Sequence, residues 1–171
     1  LAEEGRIFSV HAIAEAEERW HETPAEGRLY IGVDAAGESG SGDEAVLAPR
    51  RGLKLLELEA HQGLSPGGHL VHLLAMIDRL RLPRETPVVV LDGEGAVGAR
   101  VHGELARYLD GEKVKPFELV VIRASNAAVR QPRVYDRMRD ELTANLEGWI
   151  RDGGAIVEDA KLAAEMHAFE W

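Results

Sequence analysis

The chain has 171 residues, 45% of them hydrophobic, which fits one globular domain with a sizeable core. Its formal net charge of −10 argues against strong autonomous binding of nucleic acid through a basic surface, and no apolar run approaches the ~18 residues of a membrane span. With no cysteine, disulfides and thiolate metal sites are excluded, and the chain suits the cytosol; it begins with Leu1 rather than Met, as a piece of a longer protein would.

Residues 7–22 read as a helix, with Ser9 as N-cap and Ile13, Ala16 and Trp20 on one face. TPAEG (23–27) breaks it, and RLYIGV (28–33) reads as a short strand running into Asp34. The glycine-rich stretch GESGSG (37–42) and Asp43 follow; residues 44–62 read as two strands joined at PRRG. Residues 65–83 read as a helix, with Leu70, Leu73, Leu74, Ile77 and Leu80 at helical spacing and Pro83 as its stop. PVVVLD (87–92) reads as a buried strand ending in Asp92, 93–110 as a glycine turn into a helix, and 116–125 as a strand. Residues 131–154 read as a long helix, with Pro132 near its start and Gly153–Gly154 past its end. A short extended piece, AIVE, leads into a final helix. Early strands with short links predict an antiparallel meander, and later strands alternating with helices predict parallel crossovers. The fold class is therefore α/β, with a mixed sheet of about five strands flanked by helices.

That order has a geometric consequence. If the strand 87–91 lies parallel beside 28–33, both end at one sheet edge, and Asp34 and Asp92 become neighbours where such sheets bind ligands. Either Asp alone reads as an N-cap or turn residue; together, in this order, they read as a site. Two carboxylates forced together repel unless a cation joins them. Hard oxygen donors without Cys or organised His favour Mg²⁺ or Mn²⁺. Two such ions ~3.5–4 Å apart activate a water and stabilise the leaving oxygen of a phosphodiester.

Other motifs carry less. GESGSG lacks the Gly-Lys-Ser/Thr of a P-loop, and no Walker motif appears, so ATP hydrolysis is not expected. Gly93, Gly95 and Gly98 spell G-x-G-x-x-G, but after the fourth strand rather than in an opening βαβ unit; they read as letting a helix start close to Asp92. Arg123, Arg130, Arg133, Arg137 and Arg139 crowd one stretch against Asp136. They read either as a phosphate-contacting strip or as a solvated helix face paired with Asp140 and Glu141. Arg50, Arg51 and Lys54 read as a plain turn. His69 and His72 are the close histidine pair, without a third ligand, so zinc is not expected. Trp20 and Trp149 read as core anchors.

With the β-β-β-α-β-α-β order, four segments resemble the C-terminal nuclease domain of phage large terminase subunits, which has a ribonuclease H-like fold. They are IGVDAAGESGSGDEAVL, VVVLDGEGAVGARVHGEL, YDRMRDELTANLEGWI and IVEDAKLAAEM. The likeness covers nearly the whole chain, and the first two segments carry most of it. It implies a metal-dependent endonuclease that cuts concatemeric viral DNA during genome packaging by two-metal hydrolysis, leaving a 3′-OH and a 5′-phosphate. Asp34 would bridge two Mg²⁺ or Mn²⁺ ions, Asp92 would bind one, and Asp43 matches a frequent acid near the site. The family's third ligand lies in a Ser-Pro-Asp-x-x-Asp-Ala type segment not found before Trp171; it is expected beyond that residue, with Asp159, and less so Glu158, as a stand-in.

The resemblance also implies that residues 1–27 form the joint to an upstream ATPase domain and 28–171 a nuclease domain cut short at its C-terminus. The implied partners are double-stranded DNA bound with little sequence preference, a portal and a small terminase subunit, in the host cell cytoplasm and with no membrane. The missing third acid and the acidic charge leave open a non-catalytic module that docks on the packaging motor. A further alternative is another ribonuclease H-like nuclease, such as a junction resolvase.

Overall fold

The computed structural model describes residues 6–37 and 43–170; the glycine-rich stretch from Glu38 to Gly42, the first five residues and Trp171 lie outside them. Strands β1 (Leu29–Asp34), β2 (Glu44–Arg51), β3 (Lys54–Leu55), β4 (Glu59–Gln62), β5 (Val88–Asp92) and β6 (Glu118–Ile122) form one mixed sheet. Its order is β3-β2-β1-β5-β6, with β4 also on β2. The β1–β2 pair and both partners of β2 are antiparallel, whereas β5 runs parallel to β1 and β6 parallel to β5. This is the expected meander followed by crossovers.

Helices α1 (Val10–Glu18), α2 (Pro66–Leu80), α3 (Gly95–Gly111), α4 (Met138–Arg151) and α5 (Ala160–Ala168) flank the sheet. Alternation along β1 sends Leu29, Ile31 and Val33 to one face, where they join Leu47, Val89 and Leu91 against Leu73, Met76 and Ile77 of α2 and Val101 and Leu105 of α3. Each such fully buried aliphatic side chain contributes ~1.5–3 kcal/mol. A second, smaller core joins Phe8, Ile13 and Ala16 to Ile150, Ile156 and Met166, so α1 packs directly against the two C-terminal helices. Ser9 caps α1 through the amide of Ala12, and Ser65 caps α2 through the amide of Gly68, with Pro66 in the first turn.

A buried ion pair fastens the end of the sheet away from Asp34. Arg51, 4% exposed, forks onto Glu85 with Nη1–Oε1 2.7 Å and Nη2–Oε2 2.6 Å. The guanidinium also donates to the carbonyls of Gly27 and Leu80, and Glu85 accepts from the amides of Leu29 and Leu82. The Arg51 hydrogen bonds outweigh burial and, with the two amides, hold the Glu85 carboxyl down to about 2. Arg51 is thus a buried anchor rather than part of a plain turn. Arg50 lies over the Tyr30 ring and Lys54 over Trp20.

Three other expectations change. The two-strand reading of 44–62 becomes three, because the hairpin turns at Gly52–Leu53 and the return run is interrupted. Arg50 faces Leu55 but Leu47 faces Glu59, one residue more on the return side, a bulge that separates β3 from β4. The helix expected from 131 begins at Met138, and Pro132 lies in the loop before it. That loop folds over the helix start: Glu141, 2% exposed, accepts from the amides of Val129 and Gln131, and Met138 N–H donates to Asn126 O at 2.7 Å. Burial pushes the Glu141 carboxyl up, but these backbone donors win and hold it below the usual range. AIVE makes only an isolated bridge, Ala155 to Lys54. Trp20 and Trp149 are half-buried, and each donates its indole N–H to the hairpin backbone, at Leu55 O and Gly52 O.

Candidate metal centre

The parallel register pairs Tyr30 with Val88 and continues to Val33 with Leu91. One step further, Asp34 ends β1 and Asp92 ends β5, so the two residues close adjacent parallel strands at one sheet edge. Residues paired in this way point to the same face. Val33 and Leu91 face the α2–α3 core, so Asp34 and Asp92 face the opposite way, with Tyr30, Gly32 and Val90. Asp34 is exposed as a residue, yet desolvation is the largest cause raising its carboxyl above the ordinary value. The negative charges of Asp92, Asp43 and Glu165 add to that rise. A carboxylate held in surplus negative field is a group that a cation would relieve.

The backbone beside Asp92 is tightly built. Its Oδ1 accepts from Glu94 N–H at 2.9 Å, and Gly93 N–H donates to Ile122 O at 2.8 Å. A Cβ on Gly93 would lie 2.5 Å from Val121 Cγ1, and one on Gly98 would lie 2.7 Å from Asp92 O. The glycine spelling therefore serves the close start of α3 against the strand end. Glu94 accepts from both the backbone and the hydroxyl of Ser125, which ties the α3 start to the loop after β6.

The C-terminal acids are placed differently from one another. Asp159 is the N-cap of α5, and its Oδ1 accepts from Leu162 N–H at 2.8 Å. Further along α5, Glu165 adds the smallest of the three carboxylate charges that raise Asp34. Lys161 lies between, paired to Glu44 of β2 and 4.0 Å from Glu165. Glu165 lies within IVEDAKLAAEM, but that segment drew attention to Asp159 and Glu158, and only the tertiary placement of α5 brings Glu165 toward Asp34. Asp43 precedes β2 and contributes to the same field, while Gly42 lies outside the described residues.

Because β6 is parallel to β5, Ile122 pairs with Asp92 and the chain leaves the sheet at that same edge. Arg123 is the next residue, and its Nε donates to Gly93 O at 3.3 Å. Arg130, Arg133 and Arg137 are exposed on the following loop, not on a helix face. Arg139 lies 3.9 Å from Asp140. A groove of about 1200 Å³ runs along the same sheet face beneath α4, lined by Tyr30, Gly32, Arg50, Val90, Ile122 and Arg130 among others.

Among the described residues, the one group of three His, Asp or Glu donors close enough to share an ion is elsewhere: Glu59, His61 and His72. His69, by contrast, turns into the core, its Nδ1 2.8 Å from Ser65 O. No helix among the described residues is long and apolar enough to cross a membrane.

No protein-family model matches the chain, and no curated protein does. Solved structures do. The nuclease domain of the large terminase subunit of bacterial virus Sf6 superposes with a TM-score of 0.69 at 15% identity, over 95% of this chain and 81% of that one. The fold is that of the phage large terminase nuclease domains. A mutant of the Sf6 domain with manganese and beta-thujaplicinol gives 0.64 at 15% identity, with the same coverage. The terminase nuclease of thermophilic phage G20c with bound cobalt gives 0.64 at 17%, over 97% of this chain and 81% of that one. At such identities the likeness is one of fold, and it agrees with the ribonuclease H-like mixed sheet read from the sequence.

Proposed function

We propose that this chain is a divalent-metal-dependent DNA endonuclease that cuts viral DNA during genome packaging. The observation that supports it most is the placement of Asp34 and Asp92 at adjacent parallel strand ends on one face of a terminase-nuclease fold. The donor set is hard carboxylate oxygen, which suits Mg²⁺ or Mn²⁺, and similar structures carry manganese or cobalt. Asp34 would hold both ions and Asp92 one. Bound there, the ions would supply charge for a phosphodiester's developing negative oxygens and acidity for an attacking water.

The chain's own groups would do the rest. Of the acids near the C-terminus, Glu165 has the stronger case as a third donor, because its charge reaches Asp34 while the Asp159 carboxylate is engaged in capping α5. Asp43 would add to the field. Arg123, Arg130, Arg133 and Arg137 would contact phosphates beside the cutting edge, which is how an acidic chain can hold DNA locally with little sequence preference. In this reading residues 1–27 carry the connection to an upstream ATPase, and a portal and small terminase subunit complete the motor in the host cytoplasm.

Supercoiled plasmid incubated with Mn²⁺ tests the proposal: nicked and linear products are expected from the chain and none from Asp34→Asn. Within the same assay Glu165→Gln should cut far less than Asp159→Asn, which keeps the helix cap. A second reading has its own support. No third described donor closes on Asp34 and Asp92 within ion-sharing distance, which favours a docking module without catalysis. No product from either would favour that view, whereas equal products from chain and Asp34→Asn would refute the role given to Asp34. Preference for four-way junctions over linear duplex would point to a resolvase.

A further inference from the structure

The cluster on the far face of the sheet is absorbed by nothing above. Glu59 and His61 alternate on β4, so both side chains leave the same face of that edge strand. Their partners across the strand pair, Leu47 and Ala45, are buried, which places this face toward α2. There His72 meets them. His61 Nε2 lies 2.6 Å and His72 Nδ1 3.1 Å from a single oxygen, Glu59 Oε1, and the two rings lie with centroids 3.7 Å apart, tilted by 41°. All three donor atoms lie within 4.8 Å of one another. Asp34 and Asp92 face the other side of the sheet, so the two groups cannot serve one ion.

We propose that Glu59, His61 and His72 form a second metal site, which takes one borderline ion of the Zn²⁺ class. Two imidazoles and a carboxylate are the donor set such ions prefer, whereas Mg²⁺ and Mn²⁺ prefer carboxylates alone. Tetrahedral ligand atoms at Zn²⁺ bond lengths stand ~3.3 Å apart. The present separations need only a small outward swing of two half-exposed rings, each then offering a lone pair instead of an N–H. The surrounding shell is already in place. Arg79 forks onto Glu57 at 2.7 and 2.6 Å and stands 3.5 Å from Glu59 Oε2, the oxygen not shared by the histidines. Such an outer partner orients a ligating carboxylate. The fourth position is left to water. The ion would clip β4, a four-residue strand beyond a bulge, to the middle of α2.

Calorimetric titration of the whole chain with Zn²⁺ tests this, with Co²⁺ absorption as a second readout. One Zn²⁺ per chain is expected, with a rise in Tm and an intense visible Co²⁺ band of tetrahedral type. His61→Ala and His72→Ala should each weaken Zn²⁺ at least ~10-fold. Glu59→Gln, which keeps size and hydrogen bonding, should weaken it as well, with circular dichroism unchanged. The Asp34→Asn/Asp92→Asn double variant should keep the Zn²⁺ site. Absence of stoichiometric Zn²⁺ binding would overturn the proposal and leave a carboxylate hydrogen-bonded to two histidines. Binding retained in all three cluster variants, or lost in the double Asp variant, would overturn it equally.

Discussion

Replacing Glu85 by Gln removes the charge that Arg51, 4% exposed, forks onto, and leaves the guanidinium one amide oxygen and the carbonyls of Gly27 and Leu80 as acceptors. The carboxyl sits at about 2 against an ordinary 4.5, held there chiefly by Arg51. At ~1.36 kcal/mol per pKa unit that gap is worth ~3 kcal/mol of stability at neutral pH. Breaking a buried pair by removing one partner typically costs ~3–5 kcal/mol, which agrees. The sign follows from the depressed folded value. The unfolded carboxyl takes up its proton first, so the contribution is full above pH 4.5 and fades as pH falls toward about 2. Urea unfolding followed by circular dichroism should show the variant ~3 kcal/mol less stable at pH 7, with the gap narrowing steadily between pH 5 and pH 2.5. A gap below ~1 kcal/mol at pH 7, or one that stays constant with pH, would refute the argument.

The strand-end site makes a prediction of opposite sign. Asp34 lies above its ordinary carboxylate value through burial and its acidic neighbours, so while ionised it costs stability, a cost that disappears as pH falls below its ordinary range. Asp34→Asn should therefore raise the metal-free Tm at pH 7 and abolish the rise that Mn²⁺ gives the parent chain; a lowered metal-free Tm would contradict this. Gly98→Ala forces a Cβ to 2.7 Å from the backbone of Asp92 and Gly93. A loss of ~1–3 kcal/mol in urea unfolding is expected, together with a weaker Mn²⁺ effect on Tm. Arg130→Ala with Arg133→Ala should weaken duplex binding alike for unrelated sequences and flatten the plot of log affinity against log salt by ~1 for each lost phosphate contact.

What was legible in the sequence was what short-range pattern dictates. Ser9 announces its helix, and the runs ending in Asp34 and Asp92 alternate or bury as strands do. Their parallel pairing followed from element order, and with it the juxtaposition of two acids distant in the chain. The start of α4 was not legible, because Pro132 imitates a first-turn proline while the loop's amides are spent on Glu141, a contact no window shows. Nor was the burial of Arg51, whose partner Glu85 lies beyond α2. Glu165, and His61 beside His72, became visible only when separate elements packed together; the histidine spacing along α2 pointed to His69, which the core absorbs instead.

The central claim is that Asp34 and Asp92 jointly hold the ions that cut DNA. Crystals of the chain grown with Mn²⁺ and measured at the manganese absorption edge test it most directly. The account predicts anomalous density between the two carboxylates, within coordinating reach of both. Manganese that binds only elsewhere, or touches neither aspartate, would contradict it.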